Sequence, residues 1–327
     1  MYRVVQGQQL GPIANYALCE KPRRPLAAGE VRVSVRAAGI SYVDVLTAAG
    51  EYQVQPPVPF IPGSEAAGVV IEAAADVMDF APEDHVVCGG WHGLFAEECV
   101  LPSRELTHIP ATLDLVEAAV VPASFSTAWH ALVDRARVQP METVLVLGAG
   151  GATGQAAVQV AKFLGARVIA SASTEAKRTL ALASGAHAAV DARSEQWRDE
   201  VKLANDGNPV DVIFDPVGGT ATELAFRNLR WNGRHLVVGF PGGIPSVRTN
   251  LVLLKSASLI GVNIRDFYAN EPDKAARNMT RVLELAGKGQ LRPAIAATYP
   301  IENYAAAMAE AARGESAGRI VLKMEPR

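Results

Sequence analysis

From Thr143 onward the chain alternates between two apolar rhythms. Short solid apolar runs read as buried strands, and stretches with apolar positions three and four apart read as helices packed on them. The pattern predicts strands over Thr143–Leu147, Arg167–Ser171, Ala188–Val190, Val210–Phe214, His235–Gly239 and Leu259–Val262. Between them it predicts helices over Gln155–Leu164, Glu175–Ser184, Glu195–Ala204 and Ala221–Leu229, the second stopping at Gly185 and the last near Gly233. Strands and helices alternating over short connections imply a parallel, doubly wound α/β sheet.

The first third keeps a different period. Glu30–Ala37, EVRVSVRA, alternates apolar and polar residues, as a half-buried strand does. Pro56, Pro57, Pro59 and Pro62 break the chain before another strand candidate, GSEAAGVVIEAA. DHVVCGG and GLFAEECVL follow, so this region reads as a β-rich domain of short strands. Helical spacing takes over near Leu113. The tail opens with a helix at Lys274–Leu285 and closes on AGRIVLKM, a strand with no βαβ partner after it, expected to rejoin the first domain. There is no internal repeat.

Composition narrows the classes. At 327 residues, 49% of them hydrophobic, the chain can build roughly two domains of about 100–200 residues each. A net charge of −3 and no basic block argue against a nucleic-acid partner. No apolar run approaches the roughly 18 residues of a membrane span, so no membrane insertion is expected. Cys19, Cys88 and Cys99 have no CxxC spacing and read as small apolar residues rather than a disulfide or zinc framework. The opening MYRVVQGQQ lacks the charged-then-apolar pattern of a secretory leader, so a cytoplasmic location is expected.

The chemistry sits in VLVLGAGGATGQAAVQVAKFLGARVIASAS, Val144–Ser173. Gly151 and Gly154 keep the last two glycines of G-x-G-x-x-G, while Ala149 stands where the first would be. Gly151 would let the backbone approach a pyrophosphate, and Gly154 would let the helix pack close to the strand. The helix start at Ala152 and Thr153 would offer free N–H groups to phosphates. The alternative is a tight strand-to-helix turn that binds nothing. The second strand ends in Ala170-Ser171-Ala172-Ser173, without the acid that holds an NAD ribose. Ser173 and Lys177 could donate to a 2′-phosphate, which favours NADPH. Lys177 and Arg178 also read as a solvated helix face beside Glu175.

Several ordered motifs then resemble one family across nearly the whole chain. They are AAGISYVDVLTAAGEYQVQPPVPFIPGSEAAGVV (Ala37–Val70), the glycine turn, DVIFDPVGG (Asp211–Gly219), GRHLVVGF (Gly233–Phe240) and NLVLLKSASLIGV (Asn250–Val262). The chain is similar to the zinc-free quinone oxidoreductases, the zeta-crystallin type, of the medium-chain dehydrogenase/reductase superfamily. The resemblance implies a GroES-like β-rich domain from 1–123 and 267–327 and a Rossmann NADP-binding domain over 124–266, with cofactor and substrate between them. It also implies a homodimer joined through Rossmann sheet edges, with Ser258–Val262 as the candidate edge.

Residue by residue, the zinc-dependent relatives have Cys where this chain has Ser41, and Gly-His-Glu where it has Gly63-Ser64-Glu65. Hydroxyls are poor zinc ligands, and His85, His92, His108 and His130 are scattered, so no metal is expected. Without a Lewis acid, alcohol oxidation gives way to hydride transfer from NADPH to a quinone. The same addition to an α,β-unsaturated carbonyl is the alternative, and a non-catalytic NADPH-binding protein is a third reading. Tyr52 matches a tyrosine lining the family's active site and could donate to the reduced oxygen, or could simply pack on the Pro56–Pro59 segment. Ser41 stands where quinone reductases of this type carry Asn near the nicotinamide. Thr127 matches a residue that contacts the nicotinamide region, with a helix-start residue as the alternative, and Phe240 is expected to border that pocket, with ordinary packing as the alternative. Asp44 reads as a local anchor rather than a base. A family tyrosine that helps hold the 2′-phosphate is matched by Ala192, with Arg193 beside it as a substitute. Gly318-Arg319 is left without a defined place.

Overall fold

The structure is a computed structural model that describes residues 1–325. Its first strands are β1 (Tyr2–Gly7), β2 (Tyr16–Lys21) and β3 (Glu30–Ile40), followed by helix α1 (Tyr42–Ala49). Then come β4 (Glu65–Ala73), β5 (His85–Gly89), β6 (Glu98–Pro102), β7 (Leu106–His108), α2 (Leu115–Ala118) and α3 (Pro122–Trp129). A π-helical segment, His130–Arg135, leads into β8 (Thr143–Val146), α4 (Ala152–Phe163), β9 (Arg167–Ala172), α5 (Glu175–Ala183) and β10 (Ala188–Asp191). The series continues with α6 (Trp197–Ala204), β11 (Val210–Asp215), α7 (Gly219–Arg227), β12 (Leu229–Val237), α8 (Thr249–Lys255) and β13 (Ser258–Gly261). It closes with α9 (Ile264–Asn270), α10 (Pro272–Gly287), β14 (Ile295–Pro300), α11 (Tyr304–Arg313) and β15 (Arg319–Lys323).

Two compact units result. One holds Met1–Ala123, Met279–Gly289 and Pro293–Arg327, and the other Ser124–Asn278 with Gln290–Arg292. The first unit is the GroES-like, β-rich one. Its main sheet runs β14-β15-β3-β4-β5-β7, with β6 also on β3. Strand β3 organises it, because its outer edge changes partner: Glu30–Ser34 pairs with β6, and Ala37–Ile40 pairs with β15. Its register against β4 shifts between Arg32 and Val33 and between Val35 and Ala37. The core beneath gathers Val31, Val33, Val35, Phe60, Phe95, Ile320 and Leu322. Thus AGRIVLKM does rejoin the first domain, antiparallel to β3.

The second unit is the Rossmann-like one. Its six strands are all parallel, in the order β10-β9-β8-β11-β12-β13. Every residue of β8 (TVLV) and β11 (VDVIFD) is buried, as strands covered on both faces must be. The order reverses between β8 and β11, and in such sheets ligands bind at that switch point, beyond the strands' carboxyl ends. Strand β12 begins at Leu229, well before the predicted His235. Its opening stretch Arg230-Trp231-Asn232 is exposed, Asn232 has φ 58°, and the register against β11 shifts there. That stretch therefore carries no apolar alternation to read. Among the described residues, no helix is long and apolar enough to cross a membrane.

Candidate active site

In the second unit, β8 ends in the turn Gly148–Gly151 and α4 begins at Ala152. Gly148 takes φ 58°, and its carbonyl accepts the Gly151 N–H at 2.9 Å. The Ala149 N–H donates to the Ser171 carbonyl at 3.0 Å, which ties the turn to β9. Gly151 is the N-cap of α4, and no side chain caps that end. The first-turn amides of Ala152, Thr153 and Gly154 have no carbonyl four residues back to accept them, so they present donors and a partial positive charge. A Cβ on Gly154 would lie 2.8 Å from Gly148 C and 2.9 Å from Ala149 Cα, and closer still to the Gly148 oxygen. One on Gly150 would lie 2.6 Å from Lys177 Cγ. Only glycines let turn, helix and Lys177 approach this closely. The bare helix start and glycine cradle fit the pyrophosphate of a dinucleotide.

Beside the turn, β9 ends at Ala172 and α5 starts with Thr174 as N-cap, its hydroxyl accepting the Lys177 N–H at 3.3 Å. Ser173 and Lys177 are half-buried, and Arg193 is exposed. An acid missed in the sequence stands next door. Asp191, the last residue of β10, pairs in register with Ala172. Arg178 bonds both, at 3.0 Å to Asp191 Oδ2 and 3.3 Å to the Ala172 carbonyl. Asp191 Oδ1 accepts the Arg193 N–H at 2.9 Å. The available signal was a lone acid closing the short apolar strand Ala188–Val190.

Across the switch point, β11 ends at buried Asp215. Its Oδ1 accepts the N–H groups of Val217 and Gly218, both at 2.9 Å, and its Oδ2 accepts the Thr222 hydroxyl at 2.6 Å. Buried His235 on β12 places Nε2 3.0 Å from the same Oδ2. Burial pushes this carboxyl up, but the bonds from His235, Gly218 and Thr222 outweigh it and hold Asp215 below the ordinary carboxylate range. The pinned turn carries Gly218 at φ 74°, where a Cβ would lie 2.7 Å from Phe240 Cα. Phe240 is thereby seated against the turn, with its ring partly exposed. Thr127 is buried, the sixth residue of α3, rather than at the helix start. Just beyond it, buried His130 bonds Asp134 at 2.9 Å and stacks on Phe267.

In the first unit, Ser41 caps α1. Its hydroxyl accepts the Asp44 N–H at 3.1 Å and donates to Asp44 Oδ2 at 2.6 Å, while its own N–H donates to that oxygen at 2.7 Å. This capping box makes Asp44 the anticipated local anchor. Burial raises the Asp44 carboxyl, opposed by the bonds from Ser41 and Ser64. Glu65, fully buried on β4, pairs with buried Arg319 of β15 and accepts the Ala123 N–H at 2.8 Å. Arg319 also donates to the Ile40 carbonyl at 3.3 Å. Arg319 thus finds its place as the partner of a carboxylate 254 positions away. Tyr52 is half-buried just beyond α1, its N–H donating to the Leu46 carbonyl at 3.2 Å. Cys88 and Cys99 are buried in this unit's core. Among the described residues, no three His, Cys, Asp or Glu side chains come together in a group that could hold a metal ion.

A Rossmann-like sheet with an open glycine turn, joined to a GroES-like unit, defines a dinucleotide-dependent dehydrogenase or reductase. Residues 27–111 match the alcohol dehydrogenase GroES-like domain, and residues 152–281 match the family described as zinc-binding dehydrogenase. Quinone oxidoreductase-like protein 2 of Rattus norvegicus is 38% identical over 305 residues, covering 92% of this chain and 87% of the relative. Quinone oxidoreductase of Homo sapiens is 29% identical over 295 residues, covering 90% and 88%. A probable oxidoreductase from Mycobacterium abscessus has a TM-score of 0.90 at 32% identity, covering 99% of each chain. The chain belongs to the medium-chain dehydrogenase/reductase superfamily, in its quinone oxidoreductase branch. It is an oxidoreductase of a family that binds a nicotinamide cofactor.

Proposed function

We propose that the protein is a zinc-independent, NADPH-dependent reductase of quinones. The observation that carries the cofactor choice is the end of β9. It holds no carboxylate, and Lys177, packed on Gly150, stands beside the cradle. When bound, the nicotinamide supplies the hydride. The α4 amides at Ala152, Thr153 and Gly154 hold the pyrophosphate, with Gly151 keeping the approach open. Ser173, Lys177 and Arg193 hold the 2′-phosphate. Thr127 and Phe240 border the nicotinamide, and Ser41 borders the acceptor, with its one hydroxyl hydrogen already given to Asp44. Tyr52 donates its phenolic hydrogen to the oxygen on which negative charge develops. The zinc-free reading is supported by chemistry: the Ser41 hydroxyl is spent on the α1 cap, and Glu65 is spent on Arg319 and the Ala123 N–H.

Purified protein should oxidise NADPH with benzoquinone or naphthoquinone acceptors, and should do so after exhaustive chelation. Unchanged NADPH with every quinone defeats the reading. A faster rate with an enone at equal NADPH moves the substrate to activated alkenes by the same hydride addition. Lys177→Ala should weaken NADPH binding more than NADH binding, and equal loss contradicts the phosphate role. The active form is proposed to be a homodimer. Strand β13 ends the parallel sheet, Leu259 on it is exposed, and Leu253 and Leu254 of neighbouring α8 are exposed as well.

A further inference from the structure

At the carboxyl ends of β9 and β10 a carboxylate and a guanidinium meet. Asp191 is the carboxylate nearest in the sheet to the place where NAD-binding chains keep their ribose acid, since it stands in register with Ala172. Left alone it would serve NADH, by accepting from a ribose hydroxyl, and repel the 2′-phosphate of NADPH. It is not left alone. Oδ2 faces Arg178 at 3.0 Å, and Oδ1 takes the Arg193 N–H at 2.9 Å. Arg178 is itself fixed, since the same Nη1 reaches the Ala172 carbonyl at 3.3 Å. Both oxygens are engaged, and the charge is neutralised by a cation of α5 tied to the end of the adjacent strand β9.

We infer that the Arg178–Asp191 pair is a latch that sets cofactor specificity, Arg178 masking a carboxylate that would otherwise select NADH. The inference rests on the proposed NADPH site and names the residues that decide between the two dinucleotides there. Arg178 works through Asp191, so it is a positioning residue. Its removal matters only while the carboxylate is present.

The experiment is a double-mutant cycle on the full chain with Arg178→Met, Asp191→Asn and both together. Dissociation constants for NADPH and NADH are read by fluorescence titration, and those for adenosine 2′,5′-bisphosphate and AMP by calorimetry. Circular dichroism and the thermal midpoint establish that each variant is folded. One partly solvated unit charge acting on a phosphate within a Debye length changes affinity by about five- to tenfold. Arg178→Met should therefore lower the preference for NADPH over NADH by about tenfold, and Asp191→Asn should leave it within about threefold, because a masked carboxylate contributes little. In the Asp191→Asn background, Arg178→Met should move the preference less than about threefold. The bisphosphate-to-AMP ratio should follow the same pattern. An equal fall on removing Arg178 in both backgrounds overturns the latch, because Arg178 would then act on the phosphate directly. So does a loss of NADH binding in Asp191→Asn, which would make Asp191 an open ribose ligand. A wild-type protein without NADPH preference, but with the stated coupling, would refute the cofactor reading and leave the latch standing.

Discussion

Replacing Gly154 with alanine sets two effects against each other. Inside an ordinary helix, Gly→Ala stabilises by about 1 kcal/mol, because alanine loses less backbone freedom on folding. At this position the new methyl would meet Gly148 C at 2.8 Å and Ala149 Cα at 2.9 Å, with the Gly148 oxygen nearer still. Ordinary carbon contacts begin near about 3.5 Å, so α4 or the turn must retreat by more than about half an ångström. The obstacle is backbone, fixed by the Gly151-to-Gly148 and Ala149-to-Ser171 hydrogen bonds, and not a side chain able to swing aside. Overpacking costs about 1–3 kcal/mol, and rigid neighbours put this site at the upper end. The net expectation is a loss of about 1–2 kcal/mol. The displaced amides should also weaken NADPH binding at least tenfold. Urea unfolding of ligand-free protein, followed by circular dichroism, measures the first, and fluorescence titration measures the second. Gly151→Ala is the comparison, since its Cβ would meet only the Gly148 oxygen, at 3.3 Å, and should unfold within about 1 kcal/mol of wild type. A Gly154→Ala protein as stable as wild type would refute the packing argument, and unaltered NADPH affinity would refute the phosphate role of that helix end.

Other consequences are as open to measurement. Asp215 is held below the ordinary carboxylate range, so it contributes stability that is present above its unfolded value of about 3.9 and is lost as pH falls through its folded value. Asp215→Asn should lower stability at neutral pH by about 2–4 kcal/mol and flatten the acid limb of the unfolding-midpoint profile, and an unchanged profile would contradict this. Arg319→Met strands the fully buried Glu65 and should cost about 3–5 kcal/mol in denaturant titration, with part of the loss recovered by adding Glu65→Gln. Leu259→Asp places a charge beside the exposed edge β13 and should turn the proposed dimer into a monomer by sedimentation.

What could be read in the sequence was whatever the local period encodes. The strand–helix series from Thr143 to Val237 and the return of Arg319–Lys323 to the first unit follow from solid or alternating apolar runs, because burial of such runs leaves few alternatives. The first part of β12 was hidden because Arg230, Trp231 and Asn232 face solvent around a left-handed residue. The charged pairs were hidden for another reason. Glu65 and Arg319, and Asp215 and His235, are set by sheet order, which places separate strands together, and Arg178 of α5 meets Asp191 because β10 lies beside β9. Their one local trace is an ionisable residue in or at the end of an apolar strand. Such a residue announces that a partner is needed without saying which one. The glycine turn was legible as a motif, while its fit to a phosphate depends on the contact between Gly154 and Gly148 and on the bare cap at Gly151.

The partner exchange along β3 has a consequence for synthesis on the ribosome. The strand's Ala37–Ile40 half gains its outer neighbour only when Arg319–Lys323 emerges, long after Ser124–Asn278 has been made. The second unit, whose strands all lie between Thr143 and Gly261, can close its sheet during translation. The first must wait with backbone amides and carbonyls of β3 unsatisfied on that edge. Slow emergence of the last segment should therefore be the interval in which the nascent chain most needs a chaperone, and pairing of β15 is the event that ends it.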